Sequence, residues 1–137
     1  MQAMSDATDL TIILPARNEA AALRALLPDL RGRFPEAEIL LVDDASDDET
    51  PRLGEAHGCR VISHPYRIGN GAAVKTGLRA ARGRITALMD ADGQHRPEDL
   101  QKLLDRFESG NVDMLVGARS IGATQAAFDR RPSWRGA

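Results

Sequence analysis

Short apolar runs alternate along this chain with longer stretches of helical period, and each junction carries a turn or cap signal. That alternation restricts the fold to repeated strand–helix–strand units. Leu10 to Leu14 forms a first strand, and Asn18 stands where it can cap a helix whose Leu23, Leu26, Leu27 and Leu30 fall at i, i+3, i+4 and i+7. Ile39 to Val42 is a second strand, followed by the capping-box pattern Ser46-Asp47-Asp48-Glu49 and a helix that stops at Gly58. Val61 and Ile62 mark a third strand, and Gly69-Asn70-Gly71 leads into a helix through Val74 and Leu78 that ends at Gly83. Ile85 to Met89 is a fourth strand. Pro97 opens a helix with Leu100, Leu103, Leu104 and Phe107 on one face, closed by Gly110, and Val112 to Val116 is a fifth strand.

Strands without polar alternation, such as Ile39-Leu40-Leu41-Val42, are buried on both faces. The expected fold class is therefore α/β, a three-layer sandwich with a mostly parallel central sheet. In 137 residues this is a single domain, over residues 10–120, after a disordered N-terminus of residues 1–9. Residues 121–137 lack an apolar period and carry Arg130, Arg131 and Arg135 against Asp129, so they are expected to form an irregular basic tail.

A net charge of −2 argues against nucleic acid as a partner. The single cysteine, Cys59, allows no intrachain disulfide, is expected to pack at the start of strand three, and fits a reducing cytoplasm. No secretory leader and no run of apolar residues long enough to span a bilayer is visible.

Ligands of open parallel sheets bind beyond the carboxyl ends of the strands, and polar residues gather there. Asp90 and Asp92 follow strand four, and side-chain alternation in extended backbone puts both on one side. Their oxygens suit a hard divalent cation, to which Gln94 adds a neutral oxygen; the alternative is a pair of ordinary loop acids. Glu19 and Asp44 suit either hydrogen bonding to a base and ribose or helix capping. Gly69-Asn70-Gly71 serves close backbone approach to a ligand or a plain tight turn, and Lys75 a phosphate contact or a solvated charge. His95 adjoins the acids and suits either contact with a phosphate or with the groups around a metal, or orientation of the loop, whereas His57 and His64 read as surface or loop residues.

Taken together, the segments Thr11–Glu19, Ile39–Asp48 and Met89–His95 resemble the family 2 glycosyltransferases, and within them the polyprenyl-phosphate sugar transferases. Gly69–Gly77 and Val116-Gly117-Ala118-Arg119 fit the same pattern. The resemblance implies a truncated GT-A fold, the donor-binding half of an inverting, metal-dependent hexosyltransferase with a DXD motif. It implies a UDP- or GDP-sugar as donor, Mg2+ or Mn2+ as cofactor, and a lipid-phosphate acceptor met peripherally at the membrane surface. By that likeness Pro15, Arg17, Glu19, Asp44, Asp90, Ala91 and Arg119 bind substrate, Asp90, Asp92 and Gln94 hold the metal, and Asp92 is catalytic. Arg130 or Arg131 would correspond to a phosphate-contacting base. A non-catalytic donor-binding remnant is the alternative. A receiver-like signalling domain, suggested by Leu41-Val42-Asp43-Asp44, is disfavoured because a full strand and helix precede that pair.

Overall fold

The computed structural model describes residues 9–92 and 95–110, and the backbone of residues 115–119 and 126–130. Strands β1 (Leu10–Ala16), β2 (Glu38–Asp43), β3 (Arg60–Ser63) and β4 (Ile85–Leu88) alternate with helices α1 (Ala20–Arg33), α2 (Thr50–Ala56) and α3 (Asn70–Ala80). The strands form one all-parallel sheet in the order β3-β2-β1-β4, with Ile12 beside both Ile39 and Ala87. Order reverses between β1 and β4, because β2 and β3 are laid to one side of β1 before the chain crosses back. Open sheets of this kind bind ligands in the crevice beyond the carboxyl ends of the strands at such a switch point, here β1 and β4.

Period-two alternation divides the strand residues between two helical layers. Ile13, Leu40 and Val42 face α3, where Ala73 completes a buried cluster. Ile12, Leu14, Ile39 and Leu41 point to the opposite face, and Gly54 of α2 sits directly against Leu41. The leucine stripe of α1, Leu23, Leu26, Leu27 and Leu30, is buried as its spacing predicts.

α3 meets the sheet through small residues. Ala73 and Gly77 are its buried positions, whereas Leu78, expected on the apolar face, is 51% exposed. A Cβ at Gly77 would lie 2.5 Å from Ile13 Cγ2, a fully buried methyl that cannot swing away. Gly77→Val is accordingly expected to cost on the order of 2–3 kcal/mol by overpacking. A lowered urea midpoint at unchanged m-value would show it; an unchanged midpoint would mean that α3 does not pack this closely.

Two helix starts differ from expectation. Asn18 adopts a left-handed φ of 56° and does not cap α1; Glu19 holds the N-cap position without a side-chain cap bond. Ser46 lies outside α2, which begins only at Thr50. In both places the polar side chains bond across to the neighbouring loop, which competes with local capping. Gly58, at φ 75°, terminates α2 as predicted.

The chain divides into two compact units, Met1–Arg96 and Pro97–Ala137. In the second unit α4 (Pro97–Ser109) starts at the predicted proline and lies against β5 (Leu115–Arg119). β5 pairs antiparallel with β6 (Ala126–Arg130), and cross-strand pairing stabilises a segment whose sequence has no period of its own. Asp9, expected within a disordered terminus, accepts the Ile85 N–H at 2.7 Å. Residues 1–8 lie outside the described residues.

Candidate donor site at the sheet's carboxyl edge

The loops after β1 and β2 are locked together. The Asn18 N–H donates to Ser46 Oγ at 2.8 Å and Asn18 Oδ1 accepts the Asp47 N–H at 2.7 Å. The Glu19 N–H donates to Thr50 Oγ1 and the Ala20 N–H to Asp48 Oδ2. The first amides of α1 are thus satisfied by side chains of the next loop. Ala45, at φ 59°, is a left-handed non-glycine residue held by this lock, and its neighbour Ser46 is anchored through an N–H bond to buried Asp43.

Arg17 reaches into the same region. Its Nη2 stands 3.8 Å from Asp47, and its buried Nε is without a hydrogen-bond partner among the described residues. A buried guanidinium N–H in that state is costly.

Beyond β4 the side chains alternate as predicted: Met89 and Ala91 are buried, Asp90 and Asp92 exposed. His95 Nδ1 accepts the Asp90 N–H at 3.1 Å, so the neutral ring carries its proton on Nε2, 4.0 Å from Asp90 Oδ2. His95 therefore orients the acid loop.

Glu19 joins these acids across the switch point. Burial raises its carboxyl pKa, and the charges of Asp92, Asp48 and Asp90 raise it further. A cation beside Glu19 would relieve this crowding of negative charge. Among the described residues, however, no three acidic, histidine or cysteine side chains stand close enough to hold a metal by themselves. A carboxylate pair whose ion is completed by diphosphate oxygens fits this donor set, since Mg2+ is commonly held by one or two carboxylates plus substrate phosphates.

Asp44 does something different. It is buried, and its carboxylate accepts from His64 Nδ1 at 2.8 Å and from the Ile68 and Gly69 N–H groups at 2.9 Å. His64 Nε2 lies 2.9 Å from Thr76 Oγ1, which completes a chain from β2 to α3. Burial pushes the Asp44 carboxyl up, yet these hydrogen bonds outweigh it and hold the group below its ordinary range. Asp44 thus clamps the loop that enters α3, whose Gly69 sits at φ 122°, and does not cap its own helix.

A sequence profile of glycosyl transferase family 2 matches residues 11–135. The chain belongs to glycosyl transferase family 2. Among relatives, an undecaprenyl-phosphate mannosyltransferase of Micrococcus luteus is 35% identical over 117 residues, covering 80% of this chain and 47% of that protein. Glucosyl-3-phosphoglycerate synthase from Mycobacterium tuberculosis, solved with Mn2+, uridine diphosphate and glucosyl-3-phosphoglycerate, matches with a TM-score of 0.68 at 25% identity over 82% of this chain and 44% of that one. A Pyrobaculum calidifontis mannosyltransferase solved with GDP-Man and Mn2+ gives a TM-score of 0.64 at 28% identity, over 75% and 33% of the two chains. The chain spans about half the length of the curated relatives it matches.

Family 2 membership agrees with the GT-A expectation and removes the receiver-like alternative. Of the residues assigned to the site from sequence, Glu19 lies within electrostatic reach of Asp90 and Asp92, Arg17 precedes it in the same loop, and Ala91 is buried between the two exposed acids. Pro15 is buried inside β1, paired with Val42. Gln94 lies outside the described residues, as do the Arg119 and Arg130 side chains and Arg131.

His64 was missed: it is not a surface residue, its side chain being only 8% exposed. Its place directly after a strand, at the edge where ligands bind, was the available signal; the following Pro65 argued for a loop. Cys59 packs as expected, and burial pushes its thiol up to about 11, which leaves it protonated and inert at neutral pH.

Proposed function

We propose that the chain is the donor-binding part of an inverting, metal-dependent glycosyltransferase that moves a sugar from a UDP- or GDP-sugar to a polyprenyl phosphate. The observation that carries this reading is the approach of Glu19 to Asp90 and Asp92 at the β1/β4 switch point, with Arg17 in the same loop as Glu19. The relatives support it, one by its name as an undecaprenyl-phosphate transferase and two by their complexes with nucleotide and Mn2+.

Asp90 and Asp92, a DXD motif, would hold Mg2+ or Mn2+, with Gln94 as a third ligand. When bound, the ion would neutralise charge developing on the departing diphosphate. Arg17 Nε offers a donor to an anionic oxygen of the nucleotide. Glu19 accepts from ribose or base hydroxyl and N–H groups, and Asp44 acts on the pocket by fixing the Ile68-Gly69 backbone. Arg119 is a further substrate contact in this scheme. A polyprenyl phosphate is ionised near neutral pH, so its attack on the anomeric carbon needs little help from a base. Among the described residues no helix is long and apolar enough to cross a membrane, and the acceptor is met peripherally.

Calorimetric titration with UDP-glucose, UDP-GlcNAc and GDP-mannose, each with Mn2+ and with EDTA, tests the proposal. Saturable binding of one donor that EDTA removes is expected. A folded protein that binds none of them with Mn2+ present would sink it. Sugar transfer to a polyprenyl phosphate is assayed separately, because donor binding without turnover is what the remnant alternative predicts.

A further inference from the structure

Between Glu55 and Asp90 the chain contains no acidic residue and six basic ones, Arg60, Arg67, Lys75, Arg79, Arg82 and Arg84, although the net charge of the protein is −2. Two of the six are held internally: Arg60 by Glu38 at 3.2 Å and Arg84 by Asp9 at 3.5 Å. The other four, Arg67, Lys75, Arg79 and Arg82, are exposed, and none forms an ion pair with a described residue.

Two of these, Lys75 and Arg79, lie on α3. The helix buries Ala73 and Gly77, which leaves Lys75, Leu78 and Arg79 on its outer side, with Arg82 just beyond its end. The spacing 75, 78, 79 is one helical stripe, and Arg82 follows the extended C-cap residue Ala81. Apolar side chains are interleaved with the charges: Leu78 is 51% exposed, and the loop leading into α3 shows Tyr66 at 68% and Ile68 at 50%, flanking Arg67. These are three of the four large hydrophobic residues exposed among the described residues.

A basic stripe interrupted by exposed aliphatic and aromatic side chains is chemically matched to an anionic bilayer surface, where the cations meet headgroups and the apolar groups enter the boundary beneath. A nucleic acid would use the charges alone and leave Leu78 and Ile68 against water. We infer that the outer face of α3, with the Tyr66-Arg67-Ile68 loop, is a docking surface for an anionic lipid bilayer. The inference rests on the reading of the acceptor as a membrane lipid, and it assigns to this chain's own residues the contact that brings the donor site to that lipid.

Co-sedimentation of the purified chain with phosphatidylcholine vesicles, with and without phosphatidylglycerol, tests it. Binding to the anionic vesicles only, weakened by salt, is expected. Each basic residue near such a surface contributes roughly fivefold to the partition, so Arg79→Glu with Arg82→Glu should weaken binding by roughly 25-fold or more. Leu78→Ser should weaken it as well without any change of charge, which a purely electrostatic contact would not show. All three positions are exposed, and circular dichroism checks that the variants are folded. The inference is overturned if the wild-type chain ignores anionic vesicles, if the double reversal binds like wild type, or if a single-stranded RNA oligomer displaces the vesicles while Leu78→Ser has no effect. Vesicle binding needs neither donor nor metal. Its failure with donor titration intact removes this inference alone, and the reverse outcome removes the proposed function alone.

Discussion

Asp92→Ala is expected to abolish Mn2+-dependent donor binding, lowering affinity by more than about 100-fold, because loss even of an outer-shell partner of a metal ligand costs 10–100-fold. Asp92 and Asp90 are exposed on the same side of an extended segment whose intervening Ala91 is buried, so both carboxylates are presented together. The effect should be confined to binding. Asp92 is the foremost of the charges that raise the Glu19 carboxyl, and its removal relieves repulsion in the crevice. Native circular dichroism with lost binding would place the carboxylate at the metal and diphosphate. Unchanged binding in the variant would show that the donor is held elsewhere.

The largest effect on stability should come from Asp44→Ala. Its carboxylate is the acceptor for His64 Nδ1 and for the Ile68 and Gly69 N–H groups, all gathered around a buried position. Removing it strands the buried His64 ring and two part-buried backbone N–H groups, at a cost of about 3–5 kcal/mol, a large share of the 5–15 kcal/mol that stabilises a typical domain. Urea unfolding at neutral pH measures this, and a loss below about 1 kcal/mol would mean that the clamp is not formed. The pH dependence provides a second readout. Because the folded-state pKa of Asp44 lies below its ordinary value of 3.8, its contribution is fully present above that value and is lost as the pH falls through the lower one. Asp48 and Glu38 are lowered in the same direction, also by hydrogen bonds that outweigh burial. Acid unfolding of the native chain should therefore steepen below about pH 4, and Asp44→Ala should show a shallower acid limb.

The parallel sheet was legible because its strands are uniformly apolar and its helices punctuated by proline and glycine; Pro97 and Gly58 stand where expected. The acids beyond β4 were legible for an equally local reason, the two-residue period that exposes Asp90 and Asp92. Features set by distant partners were not. Asn18 looks like a helix cap, but its amide oxygen takes the Asp47 N–H, 29 residues away. The apolar residues of α3 suggest a face through Val74 and Leu78, whereas the tight approach to Ile13 selects Ala73 and Gly77. His64 became significant only once β2 and α3 had brought Asp44 and Thr76 to either side of its ring. β6 draws its definition from β5 and from no pattern of its own.

The lock between the β1–α1 and β2–α2 loops bears on attempts to redesign this site by recombination. Four hydrogen bonds, from Asn18, Glu19 and Ala20 to Ser46, Thr50 and Asp48 and back from Asp47 to Asn18, join segments 28 to 31 residues apart. A graft that imports one loop from a relative leaves its amides facing the wrong acceptors. Residues 17–20 and 45–50 therefore form one transplantable cassette split across the gene, and chimeras that respect that pairing should keep a shaped pocket while those that cut through it lose one.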